Sequence, residues 1–160
     1  REMFLLKLSA QTKRLRSQYK SGDLKTRRAV VKSLQSLEFK EVEVLVHPRD
    51  IQEIEWHVST RQLCQAMFKL GFHPALMINP GLITNNEWSK VAYKGGSEPG
   101  VLNYTHLIQA PADAPVDQRG RSYCISATIN NPNKDVETQR FTALVTQLIA
   151  QLETETLQRD

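Results

Sequence analysis

The stretch Trp88-Ser89-Lys90-Val91-Ala92-Tyr93-Lys94-Gly95-Gly96-Ser97-Glu98-Pro99-Gly100-Val101 decides how this chain is read. It opens as a strand. Val91 and Tyr93 alternate with Lys90, Ala92 and Lys94, the period of two expected of a half-buried strand. Lys94 is expected to close that strand, and Gly95-Gly96-Ser97 follows. Two glycines in a row mark backbone that something approaches closely. Glu98-Pro99-Gly100 signals a turn, and Val101 to Ile108 read as the returning strand. The lysine is therefore expected at a hairpin edge that faces open space. Alone, Lys-Gly-Gly-Ser is an ordinary turn sequence; what surrounds it gives it weight.

Downstream, Ala110 to Gly120 reads as a polar loop, and Arg121 to Asn130 as a third strand. Tyr123, Ile125, Ala127 and Ile129 fall on one face of it, with Ser122, Ser126 and Thr128 on the other. Phe141, Leu144, Val145, Leu148, Ile149 and Leu152 follow the i, i+3, i+4, i+7 stripe of a long terminal helix. Upstream the chain reads as helical. Glu2 to Tyr19 forms one helix in this reading, and Ser21-Gly22 breaks it. Asp23 caps a second helix to about Ser36, with Leu24, Val30, Val31 and Leu34 on its buried face. Glu41 to His47 alternates weakly, Pro48-Arg49-Asp50 is a turn, and Ile51 to Trp56 has no clear type. Ser59-Thr60-Arg61-Gln62 is a capping box opening a helix that Gly71 closes. Phe72 to Gly81 reads as a loop-rich connection. Helices first, then an antiparallel meander, then one helix, indicate an α+β fold. Residues 1–87 are the mainly helical part and 88–160 the sheet with its terminal helix.

The 160 residues suit one domain or most of one. The net charge of +4 is unevenly placed: residues 1–40 hold eleven Lys or Arg against three Asp or Glu. Such a block can bind nucleic acid, but few aromatic residues interleave it, with Tyr19 and Phe39 nearby, and it reads better as solvated helix faces. Cys64 and Cys124 show no disulfide framework and no metal-ligand spacing, so they read as small buried hydrophobes. His47, His57, His73 and His106 are scattered, without the pairing a metal site needs. No metal or cofactor is expected, and no apolar run approaches the ~20 residues of a membrane span.

The segment Lys94-Gly95-Gly96-Ser97-Glu98-Pro99-Gly100-Val101-Leu102-Asn103, followed by two strands and a long amphipathic helix, resembles the C-terminal part of the serine β-lactamase and penicillin-binding protein superfamily. It looks most like class A β-lactamase-like serine hydrolases. Glu55-Trp56, Ser59 and Leu63-Cys64 resemble that group's preceding helix, and Arg1 to Leu8 resembles the helix after its second motif. The resemblance implies a partial β-lactamase-like fold and acyl transfer through a serine ester, on a β-lactam, a peptidoglycan-like peptide or a small ester or amide. It implies Lys94 as the third-motif lysine and the Ser97 amide as an oxyanion donor. Gly95, Gly96, Glu98 and Asn103 would border the substrate. An extracytoplasmic location follows from the resemblance only.

The chain departs from that pattern at three places. Gly95 stands where the family carries a hydroxyl residue, and the Ser97 hydroxyl could partly substitute for it. No Ser-X-Asn occurs. The one Ser-X-X-Lys, Ser17-Gln18-Tyr19-Lys20, lies in a basic surface helix, too near Lys94 in sequence for the family's order. The expectation is a fragment whose nucleophile lies upstream of Arg1, inactive alone and completed by the missing half or a second copy. Glu53 or Glu55 is placed for a deacylating base, but both read better as solvated turn acids. Glu98 could pair with Lys94 or merely hold the turn. His106 could line the site, although a packed or surface histidine is commoner. A degenerate, non-catalytic binding module is the alternative, and a basic nucleic-acid-binding protein the third reading.

Overall fold

The first helix ends sooner than its apolar stripe implies. In the computed structural model, which describes residues 1–38, 45–55, 57–84 and 87–157, α1 is Glu2–Leu8. A short 3₁₀ turn (Ala10–Thr12) follows, then α2 (Lys13–Ser21). The expected single helix to Tyr19 is thus broken at Ser9, whose backbone is extended at φ −85° and ψ 130°. Thr12 is the physical reason. Its buried hydroxyl lies 2.7–3.1 Å from the carbonyls of Leu5, Leu6 and Ser9, satisfying helix-end acceptors in place of a continuing helix. Arg16 adds Nη1–H bonds to the Lys7 and Ser9 carbonyls, at 2.7 and 3.2 Å.

The described residues form two compact units. The first holds residues 1–57 with Glu98–Gly100 and Asn131–Asp135. Here Asp23 caps α3 (Leu24–Leu34) by accepting the Thr26 N–H at 2.8 Å, as expected. Leu6, Val30, Leu34 and Ile54 make the core, but Leu24 lies exposed at the helix start. The weak alternation over Glu41 to His47 lies largely outside the described residues.

Lys7 overturns the expectation that the basic residues stay wet. It is buried, and its ammonium is ion-paired to Glu55 and, at 2.6 Å, to Glu98. Glu98 is therefore engaged with Lys7, not Lys94. Glu55 is likewise an ion-pair partner and not the free turn acid expected. Pro99-Gly100 completes the anticipated turn, Gly100 taking the φ of +80° that glycine adopts freely.

The second unit holds residues 58–97, 101–130 and 136–160. α4 (Thr60–Leu70) opens with the expected capping box, the Gln62 N–H reaching Ser59 Oγ at 3.2 Å and the Ser59 N–H reaching Gln62 Oε1 at 2.8 Å. Gly71 closes it at φ +58°. The connection that follows contains one short helix, α5 (Pro74–Met77). The sheet has the order β1 (Lys90–Glu98), β2 (Val101–Gln109), β3 (Ser122–Asn130). β1 and β2 are joined by two residues, a connection only antiparallel strands can make. β2 and β3 pair antiparallel from Val101↔Asn130 to Gln109↔Ser122. Lys94 to Glu98 lie inside β1, so the lysine sits mid-strand and not at the strand's end.

Helices cover both faces of this sheet. On one, Ile108, Tyr123, Ile125 and Ala127 pack with Val145 and Ile149 of α6 (Thr138–Leu157). Leu144 and Leu148 of the anticipated stripe are exposed, so the buried line of α6 runs through Val145 and Ile149. On the other face, Ala92 and Leu107 pack with Met67 of α4, and Cys124 joins them. Cys124 is not a free buried thiol. It is disulfide-bonded to Cys64, 60 positions away. Both cysteines sit where α4 meets β3, a tertiary neighbourhood that two isolated cysteines in a sequence cannot show. The architecture is α+β: helices, a three-stranded antiparallel sheet and a C-terminal helix.

Closing a loop of that length stabilises a fold by about 4 kcal/mol in the chain-entropy account. The double variant Cys64→Ala/Cys124→Ala is expected to lose about 2–4 kcal/mol in urea unfolding, and a reductant is expected to lower the wild type alone. For the buried ammonium, Glu55→Gln/Glu98→Gln strands a charge without counterions and is expected to cost about 3–5 kcal/mol. Lys7→Met leaves two carboxylates that reach water and is expected to cost less. Paired urea titrations check that order.

Candidate functional site

An open cleft of about 560 Å³ lies along β1. Lys94, Gly95, Gly96 and Ser97 line it from the strand, with Tyr93 beside them. Leu102, Asn103 and Tyr104 of β2 and the preceding Asn79 complete it. Five of the six residues singled out in the sequence are thus together: Lys94, Gly95, Gly96, Ser97 and Asn103. The sixth, Glu98, is not among the lining residues and is held by Lys7.

Lys94 is exposed, and its ammonium donates to the carbonyl of Gly95, keeping the charge beside the strand. Ser97 is exposed as well. Asn103 reaches the cleft, but its amide already bridges two strands. Its Nδ2 donates to the Ala127 carbonyl at 3.1 Å and to Thr128 Oγ1 at 2.8 Å, and its Oδ1 accepts from Thr105 at 3.0 Å. Its first duty is to hold β2 to β3. The two glycines differ. A Cβ on Gly96 would meet open space, whereas one on Gly95 would overlap the Tyr93 hydroxyl and lie 2.6 Å from Cζ of that ring. What approaches Gly95 closely is the chain's own Tyr93.

Sequence reasoning missed Tyr93 as a site residue because its alternation reads simply as core packing. Its ring lies 4.7 Å from the His106 ring and 6.5 Å from that of Tyr104. Burial, and then the neighbouring Tyr104, push the Tyr93 phenol pKa up, so it is protonated near neutrality. His106 is fully buried. Its Nε2 accepts the Leu82 N–H at 3.1 Å, so the neutral ring carries its proton on Nδ1. That Nδ1 has no hydrogen-bond partner among the described residues.

The other candidates are engaged elsewhere. The Ser17 hydroxyl lies 3.4 Å from the Lys13 carbonyl, while Lys20 is paired to Asp50 at 2.5 Å. The hydrogen bond to Asp50 holds the Lys20 pKa up, the opposite of what an amine base needs. Glu53 lies 3.8 Å from the same ammonium. His73 caps α5, its Nδ1 accepting the Ala75 N–H at 3.2 Å. Among the described residues no group of three or more His, Cys, Asp or Glu is arranged to hold a metal, and no helix is long and apolar enough to cross a membrane. No protein-family model matches the chain, and no curated protein matches it.

Burial lowers the His106 pKa to about 4, against a smaller opposing pull from the Pro80 carbonyl. The unfolded chain takes up that proton near pH 6.5, so stability is complete above that value and falls as the pH drops toward 4. The loss is expected to reach about 3 kcal/mol, at 1.36 kcal/mol per pH unit. Urea titrations between pH 7 and 4 should show that slope in the wild type and a flatter one in His106→Asn.

Proposed function

We propose that this chain carries the third-motif side of a β-lactamase-like serine hydrolase, which works through an acyl-enzyme on a β-lactam, a peptidoglycan-like peptide or a small ester or amide. One observation carries the reading: the four residues of the Lys-Gly-Gly-Ser motif line one cleft on an edge strand. In it, the Lys94 ammonium attracts the substrate's carboxylate and favours the anionic transition state. The Ser97 amide donates to the oxyanion. A strand paired on one side leaves alternate N–H groups unpaired, and a single such donor is worth roughly 10²–10³ in rate. The nucleophilic serine and its activating lysine come, in this reading, from residues outside this chain, because Ser17 and Lys20 have different partners. The deacylating role is not assigned to Glu55, which neutralises Lys7.

Two further observations agree. The Cys64–Cys124 disulfide suits the oxidising, extracytoplasmic compartment such enzymes occupy. Part of the N-terminal basic block is committed internally. Arg16 and Arg27 bond main-chain carbonyls, and Lys7 and Lys20 are ion-paired, which weighs against a nucleic-acid surface.

The test is to react the natural gene product containing this chain with a fluorescent penicillin and a fluorophosphonate, then map the labelled peptide. Label is expected on the serine of a Ser-X-X-Lys, with Lys94→Ala slowing it about 100-fold. No label on the folded protein would overturn the hydrolase reading in favour of a non-catalytic binding module.

A further inference from the structure

We infer that Tyr93 supplies the ligand-facing hydroxyl of this cleft, replacing the side-chain hydroxyl that position 95 lacks, and that it donates to a carboxylate or carbonyl oxygen of the substrate. The inference rests on the proposal that the cleft is a substrate site.

Tyr93 and Gly95 are two residues apart on β1 and share one face of it. The volume that any side chain at position 95 would enter is already taken by the phenol, since a Cβ there would overlap the hydroxyl. Glycine at 95 is therefore the residue that admits Tyr93, and the hydroxyl sits over its Cα. The ring's position is set by its neighbours, His106 at 4.7 Å and Tyr104 at 6.5 Å. His106 is itself fixed by the Leu82 N–H. Among the described residues the Tyr93 hydroxyl has no hydrogen-bond partner, although Tyr93 lines the cleft. Burial keeps the phenol protonated, so it offers a donor and no charge. Lys94 next to it offers charge with little direction. The cleft thus pairs an anion-attracting ammonium with one oriented neutral donor, an arrangement fitted to a ligand with a carboxylate beside an amide or ester.

The experiment is an NMR titration of this chain with benzylpenicillin as the carboxylate-bearing amide probe. Tyr93→Phe removes only the hydroxyl and is expected to weaken binding about 3- to 10-fold. Tyr93→Ala is expected to weaken it further, and Tyr93→Ala/Gly95→Ser to recover binding to within about threefold of wild type by restoring a hydroxyl at the vacated place. Unchanged binding in Tyr93→Phe, with weakened binding in Lys94→Met, would overturn the tyrosine assignment and leave the cleft reading standing. No binding by the wild type would remove the cleft reading and this inference with it. Thermal unfolding adds a readout without ligand. Gly95→Ala is expected to destabilise the wild type markedly and the Tyr93→Ala background little; equal effects would show that the hydroxyl does not occupy position 95's space.

Discussion

Strand β2 is paired along both edges and carries a helix-covered layer on each face. A strand in that position is largely shielded from water, so its buried polar groups need internal partners. Thr105 answers by bonding Asn103 and Ser126, and Asn103 by bonding Ala127 and Thr128. These contacts run between β2 and β3 on the face opposite α6. They lock the two strands in one register, since a slip by one residue would send every partner to the wrong face. His106 is the exception that costs something: half of its hydrogen-bonding capacity is used, and the ring stays neutral to fit. The cleft on β1 inherits its rigidity from this strand. Tyr104 and His106 set the ring of Tyr93, and the Tyr93 hydroxyl occupies the place a Cβ at position 95 would take.

In the N-terminal unit the organising physics is electrostatic. Helices as short as α1 and α2 leave a large share of their carbonyls without intrahelical partners. Arginine answers that need with its several planar donors. Arg1 reaches the Leu37 carbonyl at 2.6 Å, and Arg27 reaches those of Tyr19 and Gly22 at 3.0 and 3.1 Å while lying over the Tyr19 ring. Part of what looks like a cationic surface in the sequence is the stitching of short helices.

Elements with strong local signatures were legible from the residues alone. The capping box at Ser59, the cap at Asp23, the turn at Gly100 and the period-two faces of β3 all depend on neighbours within a few positions. Lys94, Gly95, Gly96, Ser97 and Asn103 line one cleft, and Glu98 does not. The misreadings have a common cause. Thr12 breaking a helix, Lys7 pairing with Glu98, Cys64 meeting Cys124 and Tyr93 filling the space over Gly95 are each decided by a contact. Two of those contacts, Lys7 with Glu98 and Cys64 with Cys124, join residues far apart in sequence, and in all four a side chain's pattern says only that it is apolar, charged or small. The glycine pair shows this well: the close approach inferred from it is real at Gly95, but the approaching group belongs to the protein.

The disulfide makes part of this chain a covalent ring, running from Cys64 through β1 and β2 to Cys124. All the residues lining the cleft fall within that ring. An irregular segment on the way, residues 111–120, joins β2 to β3. A backbone cut there would open the ring into a branched molecule without releasing either side. Both edges of the cut would stay tethered through sulfur, with β2 and β3 still facing each other across their ladder. The fold therefore tolerates topological damage in that loop, and loses that tolerance when the sulfurs are reduced.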